Sequence, residues 1–287
     1  MRIAEEPGSQ RAETVVHCPA VDIIAISKLA TDPDTEAPLL AADLGITAYE
    51  ARQKLAVGTP CVVLMTNERA RTASLVSALR GRGHAAVACD GRAVVSSSVM
   101  VPIRNFHLGP DALVLDAPPG QERQADEGLT RIPFVDIVAL LRAAHRHAVE
   151  THQVTQERKF RPAAAIISGG VILTKTVTRD VMRTNESKEQ VLYIFSRGRI
   201  PCLLREASAQ YAGLGEAVRP TRIENFLTTV RLLRESAPNA PYDERLISLK
   251  RAPEPANEPG APRAFDRETG GIDLLAHLLA MSLAGPG

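Results

Sequence analysis

Residues 46–90 read ITAYE ARQKLAVGTP CVVLMTNERA RTASLVSALR GRGHAAVACD, and their pattern decides the first part of the fold. Thr47 followed by Glu50 is a capping box, in which each side chain satisfies the other residue's free amide, so a helix is expected over 48–56 with Tyr49 and Leu55 on its apolar side. Gly58-Thr59-Pro60 breaks it, and the apolar run 61–65 is a strand. Ala70, Ala73, Leu75, Val76 and Leu79 recur at helical spacing across 68–80. Arg69, Arg71, Arg80 and Arg82 fall outside that stripe, and Arg71 and Arg82 are expected in water. Gly83 closes the helix, and 85–89 is a second strand. Upstream, the β-branched run 21–27 is a further strand, followed by a short helix capped by Asp34 or Thr35 and ended by Gly45. The order is strand, helix, helix, strand, helix, strand: a small α/β domain over residues 19–92, preceded by a flexible leader, 1–18.

With Tyr49-Glu50-Ala51 and Leu55 in the second helix, Pro60 ahead of the second strand, and Ala73, Leu79 and Gly83-His84-Ala85 running into the last strand, residues 21–90 resemble the C-terminal domain of ribosomal protein L7/L12 and the ClpS adaptors that share its fold. The resemblance implies a fold often used to dock proteins, an argument by analogy. The ribosomal domain recruits translation factors through lysine-rich early helices. Residues 34–45 contain no Lys or Arg, and no motif for the acidic-polar pocket of the ClpS proteins is present, so neither binding role carries over.

From residue 93 the pattern is strand and turn. Residues 105–116 form two strands around Gly109-Pro110-Asp111. Residues 131–140 start extended and pass into a helix through His147. Further strands are expected at 163–167, 171–177 and 190–195, with hairpin turns at Ser168-Gly169-Gly170 and Arg197-Gly198 and a return strand at 200–205. A helix over 222–235 carries Phe226, Val230 and Leu233 on one face, bracketed by Pro220 and Pro238. Asp111 to Leu115, the run Ile132 to Leu140 and this closing helix resemble a pleckstrin-homology-like barrel over roughly 93–250. Residues 143–162 stand where such barrels have a short turn. Lipid-binding members carry a basic cluster in an early hairpin loop, and only Arg104 lies near the first turn here, so headgroup binding does not carry over. The fold class is therefore α+β: a small α/β domain, a strand-rich domain over 93–250, and a tail.

Residues 251–271, rich in Pro, Glu, Ala and Gly, are expected to be a disordered linker. The helix that follows, 272–284, places Ile272, Leu275, Leu278, Leu279 and Leu283 at helical spacing, with Asp273 in its first turn, where the helix dipole favours it. So short a helix is marginal alone in water and must dock on its own chain, on a second copy or on a protein partner. Those five residues are the candidate partner-binding set. Replacing Leu275 and Leu279 by Asp is expected to abolish that docking and leave both domains folded.

The 287 residues carry a formal net charge of +1, so bulk charge selects neither nucleic acid nor an anionic membrane. Trp is absent and aromatic residues make up 3%, so burial must rest on Leu, Val, Ile and Ala. No apolar run approaches the roughly 18 residues needed to span a bilayer, and the polar start has no signal-peptide core. The four cysteines, Cys18, Cys61, Cys89 and Cys202, are scattered and read as free thiols in a reducing cytoplasm.

Site chemistry is sparse. His145, His147 and His152 with Glu150 are the one local histidine cluster, but the i, i+2 spacing points to a solvated helix-to-loop segment. Gly81-Arg82-Gly83-His84 follows a helix, where Gly83 is a cap rather than part of a phosphate cradle. Ser96-Ser97-Ser98 has no nucleophile elbow around it and reads as a strand edge. Asp180 and Glu186, with Arg179 and Arg183, read as a charged hairpin loop, and nothing brings Asp116, Asp136 and Asp243 together. No catalytic residue, cofactor or metal site is assigned. The leading reading is a non-enzymatic cytoplasmic interaction or adaptor protein; a ligand- or nucleotide-sensing regulatory module comes second, and an enzyme of unrecognised type third.

Overall fold

The computed structural model describes residues 21–115, 131–160, 174–249 and 269–285, and for 146–160 and 174–187 it describes the backbone. The leader, all but the end of the 251–271 linker and the turn at 168–170 lie outside these residues. The class is α+β. In the first part, β1 (Asp22–Lys28) is the central strand of a sheet ordered β2-β1-β3, antiparallel to both β2 (Cys61–Thr66) and β3 (Ala85–Asp90). Side chains alternate across a strand, so β1 serves two cores. Ile24 and Ile26 join Val63 and Ala86 against α1 (Pro33–Leu44), α2 (Ala48–Ala56) and α3 (Arg69–Gly81), where Leu40, Leu55, Leu75 and Leu79 are buried. Ile23 and Ala25 join Val87 and Cys89 in a different core on the opposite face.

The Thr47–Glu50 capping box forms as expected. The α1 cap is Asp32, whose carboxylate accepts the Asp34 and Thr35 amides while Pro33 opens the helix; the cap sits two residues before the expected Asp34 because proline fits the first helical position. Tyr49 is 70% exposed and does not face the core, where Ala51 and Leu55 do the packing. Arg82 is not left in water. Its guanidinium reaches the buried carboxylate of Glu36, which lies across from it on α1. Arg71 caps the end of α1 by donating to the Leu44 carbonyl at 3.1 Å. Leu79→Ala should therefore destabilise the protein by about 2–5 kcal/mol through lost transfer energy and a cavity. Arg71→Ala should cost about 0.3–1 kcal/mol, the worth of a cation at a helix C-terminus. Urea midpoints of the two variants measure both, and equal losses would mean the buried face of α3 is misassigned.

Among the described residues the second part contains two sheets. One has the order β11-β8-β9-β10-β4, formed by β4 (Val101–Ile103), β8 (Ile137–Phe160), β9 (Thr174–Ser196), β10 (Cys202–Arg205) and β11 (Tyr242–Asp243). The other is β5-β6-β7, formed by β5 (Phe106–Leu108), β6 (Ala112–Leu115) and β7 (Arg131–Pro133). The helix expected through His147 is absent. There the chain is strand β8, in which Ala139, Leu141 and Ala143 belong to one core and Leu140 to another, a period of two rather than 3.6. Asp180 and Glu186 likewise lie within β9 rather than in a hairpin loop. Helix α4 (Arg222–Ser236) lays Phe226, Val230 and Leu233 into a core shared by Leu140, Leu192 and Ile194 of the larger sheet and Phe106, Leu113 and Ile132 of the smaller one.

The last strand pair between β9 and β10 is Val191↔Arg205. Beyond it, β8 and β9 continue as a ribbon from Arg146↔Lys188 to Phe160↔Thr174, on the order of 50 Å at strand rise, and among the described residues these stretches pair only with each other.

The C-terminal helix, α5 (Gly270–Ala284), fills the space between the two parts. Leu274, Leu275, Leu278 and Leu279 belong to one core with Ile23, Ala25, Val87 and Cys89 of the first sheet and Ala139, Leu141, Val191, Tyr193 and Leu203 of the five-stranded sheet. Residues 19–92 and 93–250 therefore share a core through this helix.

Candidate functional site

Leu275, Leu278 and Leu279 are buried, and Ile272 and Leu283 are partly buried against the same core. Leu274, Ala276 and Ala280 are buried as well, so the helix is apolar all round rather than along one stripe. That is the pattern of a helix covered on most sides, here over residues 270–280. Its seat is on its own chain.

One polar group enters this interior with it. Asp273, fully buried in the first turn of α5, accepts the Ser97 amide on Oδ2 at 2.8 Å, the Tyr193 hydroxyl on Oδ1 at 2.6 Å and the Thr269 hydroxyl on Oδ2 at 3.2 Å. Ser97 Oγ lies 2.9 Å from Thr269 Oγ1, and His145 Nε2 lies 2.6 Å from Tyr193 Oη. Burial raises the Asp273 carboxyl above its ordinary range against the opposing pull of the Ser97 amide. Burial, followed by the neighbouring Asp273 charge, raises the Tyr193 phenol far above its own. The group registers the start of α5 against β8, β9 and the 94–100 loop, because a half-satisfied buried carboxylate is strongly penalised.

Sequence patterns miss this cluster. Ser97 lies on a turn, not a strand edge, and His145 is fully buried on β8 instead of sitting in a solvated segment. The available signal was an acid inside a leucine-rich helix too apolar to have a wet face. Cys61, Cys89 and Cys202 are buried free thiols, and burial pushes them up to about 11, 12 and 11, so they are held protonated.

The other half of α5 borders an open surface groove of about 500 Å³. His277, Ala280, Met281 and Ala284, one face of the helix, form one wall, and the 195–201 turn after β9 forms the opposite wall, with Val95 and Val138 between. The His277 ring stands edge-on to Phe195 with centroids 5.8 Å apart. Ile200 and Met281 form an apolar rim, 49% and 38% exposed. Ser196 Oγ and His277 Nδ1, of two residues bordering it, are buried and have no hydrogen-bond partner among the described residues.

No protein-family model, curated protein or solved structure matches this chain.

The two ionisable groups on α5 pull its docking in opposite directions with pH. Burial lowers the His277 pKa, so its contribution to the docked state is present above its ordinary value of about 6.5 and is lost as pH falls from there through its lower docked value. The raised Asp273 contributes at low pH and loses its contribution as pH rises through its docked value. His277→Leu should thus abolish the acid-side loss of stability, and Asp273→Asn the loss on the alkaline side of the carboxylate range. Urea midpoints between pH 4 and pH 8 separate the two. Parallel profiles for wild type and both variants would show that neither group is linked to docking.

Proposed function

We propose that this chain is a non-enzymatic cytoplasmic interaction or adaptor protein that engages a protein partner. The observation that carries the reading is the β8–β9 ribbon. A two-stranded ribbon is marginally stable in isolation, and its two outer edges present backbone donors and acceptors along its length. Such edges accept an added strand from a partner. The near-zero net charge favours a protein over a nucleic acid as that partner. The buried cysteines suit a reducing compartment, and no helix among the described residues is long and apolar enough to cross a membrane. An interaction through the leucines of α5 would require the helix to leave its seat, whereas the ribbon's edges need no such rearrangement. The Asp273–Tyr193–His145 relay does not favour an enzyme, since all three groups lie under the protein surface.

The test is a variant in which residues 147–187 are replaced by a two-residue Asn-Gly turn, joining the paired Arg146 of β8 and Lys188 of β9 just beyond the body of the sheet. It should fold, with the thermal midpoint of the full chain within a few degrees, because the three cores are built from described residues outside the replaced segment. Its partners recovered from the native host, or its self-association in sedimentation, should be lost. Retention of all partners and of the wild-type mass would remove the ribbon as the interaction element.

A further inference from the structure

We infer that the outer edge of β3 is a docking site for an extended peptide segment of a protein partner, one that carries an acidic side chain. β3 ends the first sheet on one side, and among the described residues no strand pairs with its outer edge. The Gly91 amide donates to the Val21 carbonyl at 2.8 Å, and the β1–β3 register runs without a shift from Asp22↔Asp90 to Ile26↔Ala86. Hydrogen-bonding direction alternates along an antiparallel strand, so Val87 and Cys89 bond inward to β1, and Ala86 and Ala88 turn their N–H and C=O groups outward. Arg80 confirms the outward set, since its Nε donates to the Ala86 carbonyl at 3.0 Å.

A groove of about 400 Å³ follows this edge along Ala85, Ala86, Val87 and Ala88. Ala86 belongs to the core of α3, and Val87 to the core of α5. The edge therefore lies between two helices, with Arg80 of α3 on one side of the groove and Met281 of α5 on the other. Native edge strands are commonly blunted by lysine, proline or a bulge. From Ala86 to Cys89 β3 has none of these, and its small side chains leave the main chain uncovered. The charge in the groove selects the occupant. Arg80 is exposed, makes no ion pair among the described residues and keeps its terminal nitrogens for a carboxylate. His84, the other titratable group along the groove, is buried with its Nε2 2.7 Å from Glu36. A strand laid on this edge points one side chain toward Arg80 and the next toward Met281. The matching segment alternates acidic or polar residues with apolar ones, and its main chain pairs with the Ala86 N–H and with the N–H and C=O of Ala88. These residues are separate from the β8–β9 ribbon, so either reading can fail without the other.

The probe is the blocked peptide acetyl-Thr-Val-Glu-Val-Thr-Val-amide, titrated into the full chain and followed by amide NMR and hydrogen exchange. Its controls are the same peptide with Gln in place of Glu, and the same peptide N-methylated throughout, which cannot donate to a ladder. The Glu peptide should shift the resonances of 85–90 in a saturable manner and slow exchange at Ala86 and Ala88. The Gln peptide should bind about two- to fivefold more weakly, the worth of an exposed ion pair. The N-methylated peptide should not bind. Arg80→Gln should bind the Glu and Gln peptides equally, and Met281→Asp should weaken both by removing the apolar wall. Equal binding of the N-methylated peptide, no shift at millimolar Glu peptide, saturable shifts confined to β2 or the ribbon, or undiminished binding by both variants would overturn the assignment. So would Ala86 and Ala88 amides already slow to exchange without peptide, the sign that the chain itself or a second copy covers the edge.

Discussion

Leu275→Asp combined with Leu279→Asp should unfold the protein rather than release a tail. Both leucines are at most 1% exposed in the core that joins the two sheets. Each loses about 1.5–3 kcal/mol of burial, and each new carboxylate faces an apolar interior at an effective penalty of several kcal/mol. The sum, on the order of 10 kcal/mol, is comparable to the whole stability of a typical domain. The apolar stripe alone had suggested that both domains would survive this change. They should not, because Ile23, Ala25, Val87 and Cys89 on one side and Ala139, Leu141 and Tyr193 on the other lose their common cover. Circular dichroism melts and size-exclusion profiles report the result. Met281→Asp, on the exposed rim of the same helix, is the control and should shift stability by about 1 kcal/mol or less. A double variant that keeps a cooperative wild-type melt would show that α5 is dispensable to the fold.

The second large effect is expected at Glu36. This carboxylate is 1% exposed, and its Oε1 accepts Arg82 Nε at 3.0 Å and Nη2 at 2.8 Å. Its other oxygen lies 2.7 Å from His84 Nε2. His84 Nδ1 accepts the Ala30 amide at 3.0 Å, which places the ring proton on Nε2, towards Glu36. Arg82 also reaches Asp43 at 2.7 Å. The cluster ties α1 to the α3–β3 turn, and a buried charge set is most costly when one member is removed. Glu36→Ala should destabilise by about 3–5 kcal/mol. Adding Arg82→Ala should then cost less than Arg82→Ala does in the wild type, since the guanidinium has already lost its buried partner and keeps only Asp43. Urea denaturation of the single and double variants closes the cycle. Strictly additive losses would show that the two residues do not act as a pair.

Local chemistry was legible in the letters. The Thr47–Glu50 box, Gly45 and Gly83 as helix stops, and the Leu75 and Leu79 face follow from rules that act over one or two turns, and the structure has them where those rules put them. The α4 face of Phe226, Val230 and Leu233 belongs to the same class. Residues 137–147 show where such rules end. Their apolar positions fit a helix or a strand, and pairing with β9, tens of residues away, decides for the strand. His145, Ser97 and Asp273 are similarly unremarkable alone, being separated by up to 176 residues, and become one cluster only when α5 docks. The sequence by itself determined the helix caps, the turn glycines, the stripe of α4 and the presence of an apolar C-terminal helix, because each depends on neighbours within a few residues. The tertiary structure alone decided that this helix is the shared interior of two sheets and which histidines are buried, because burial is set by what arrives from distant parts of the chain.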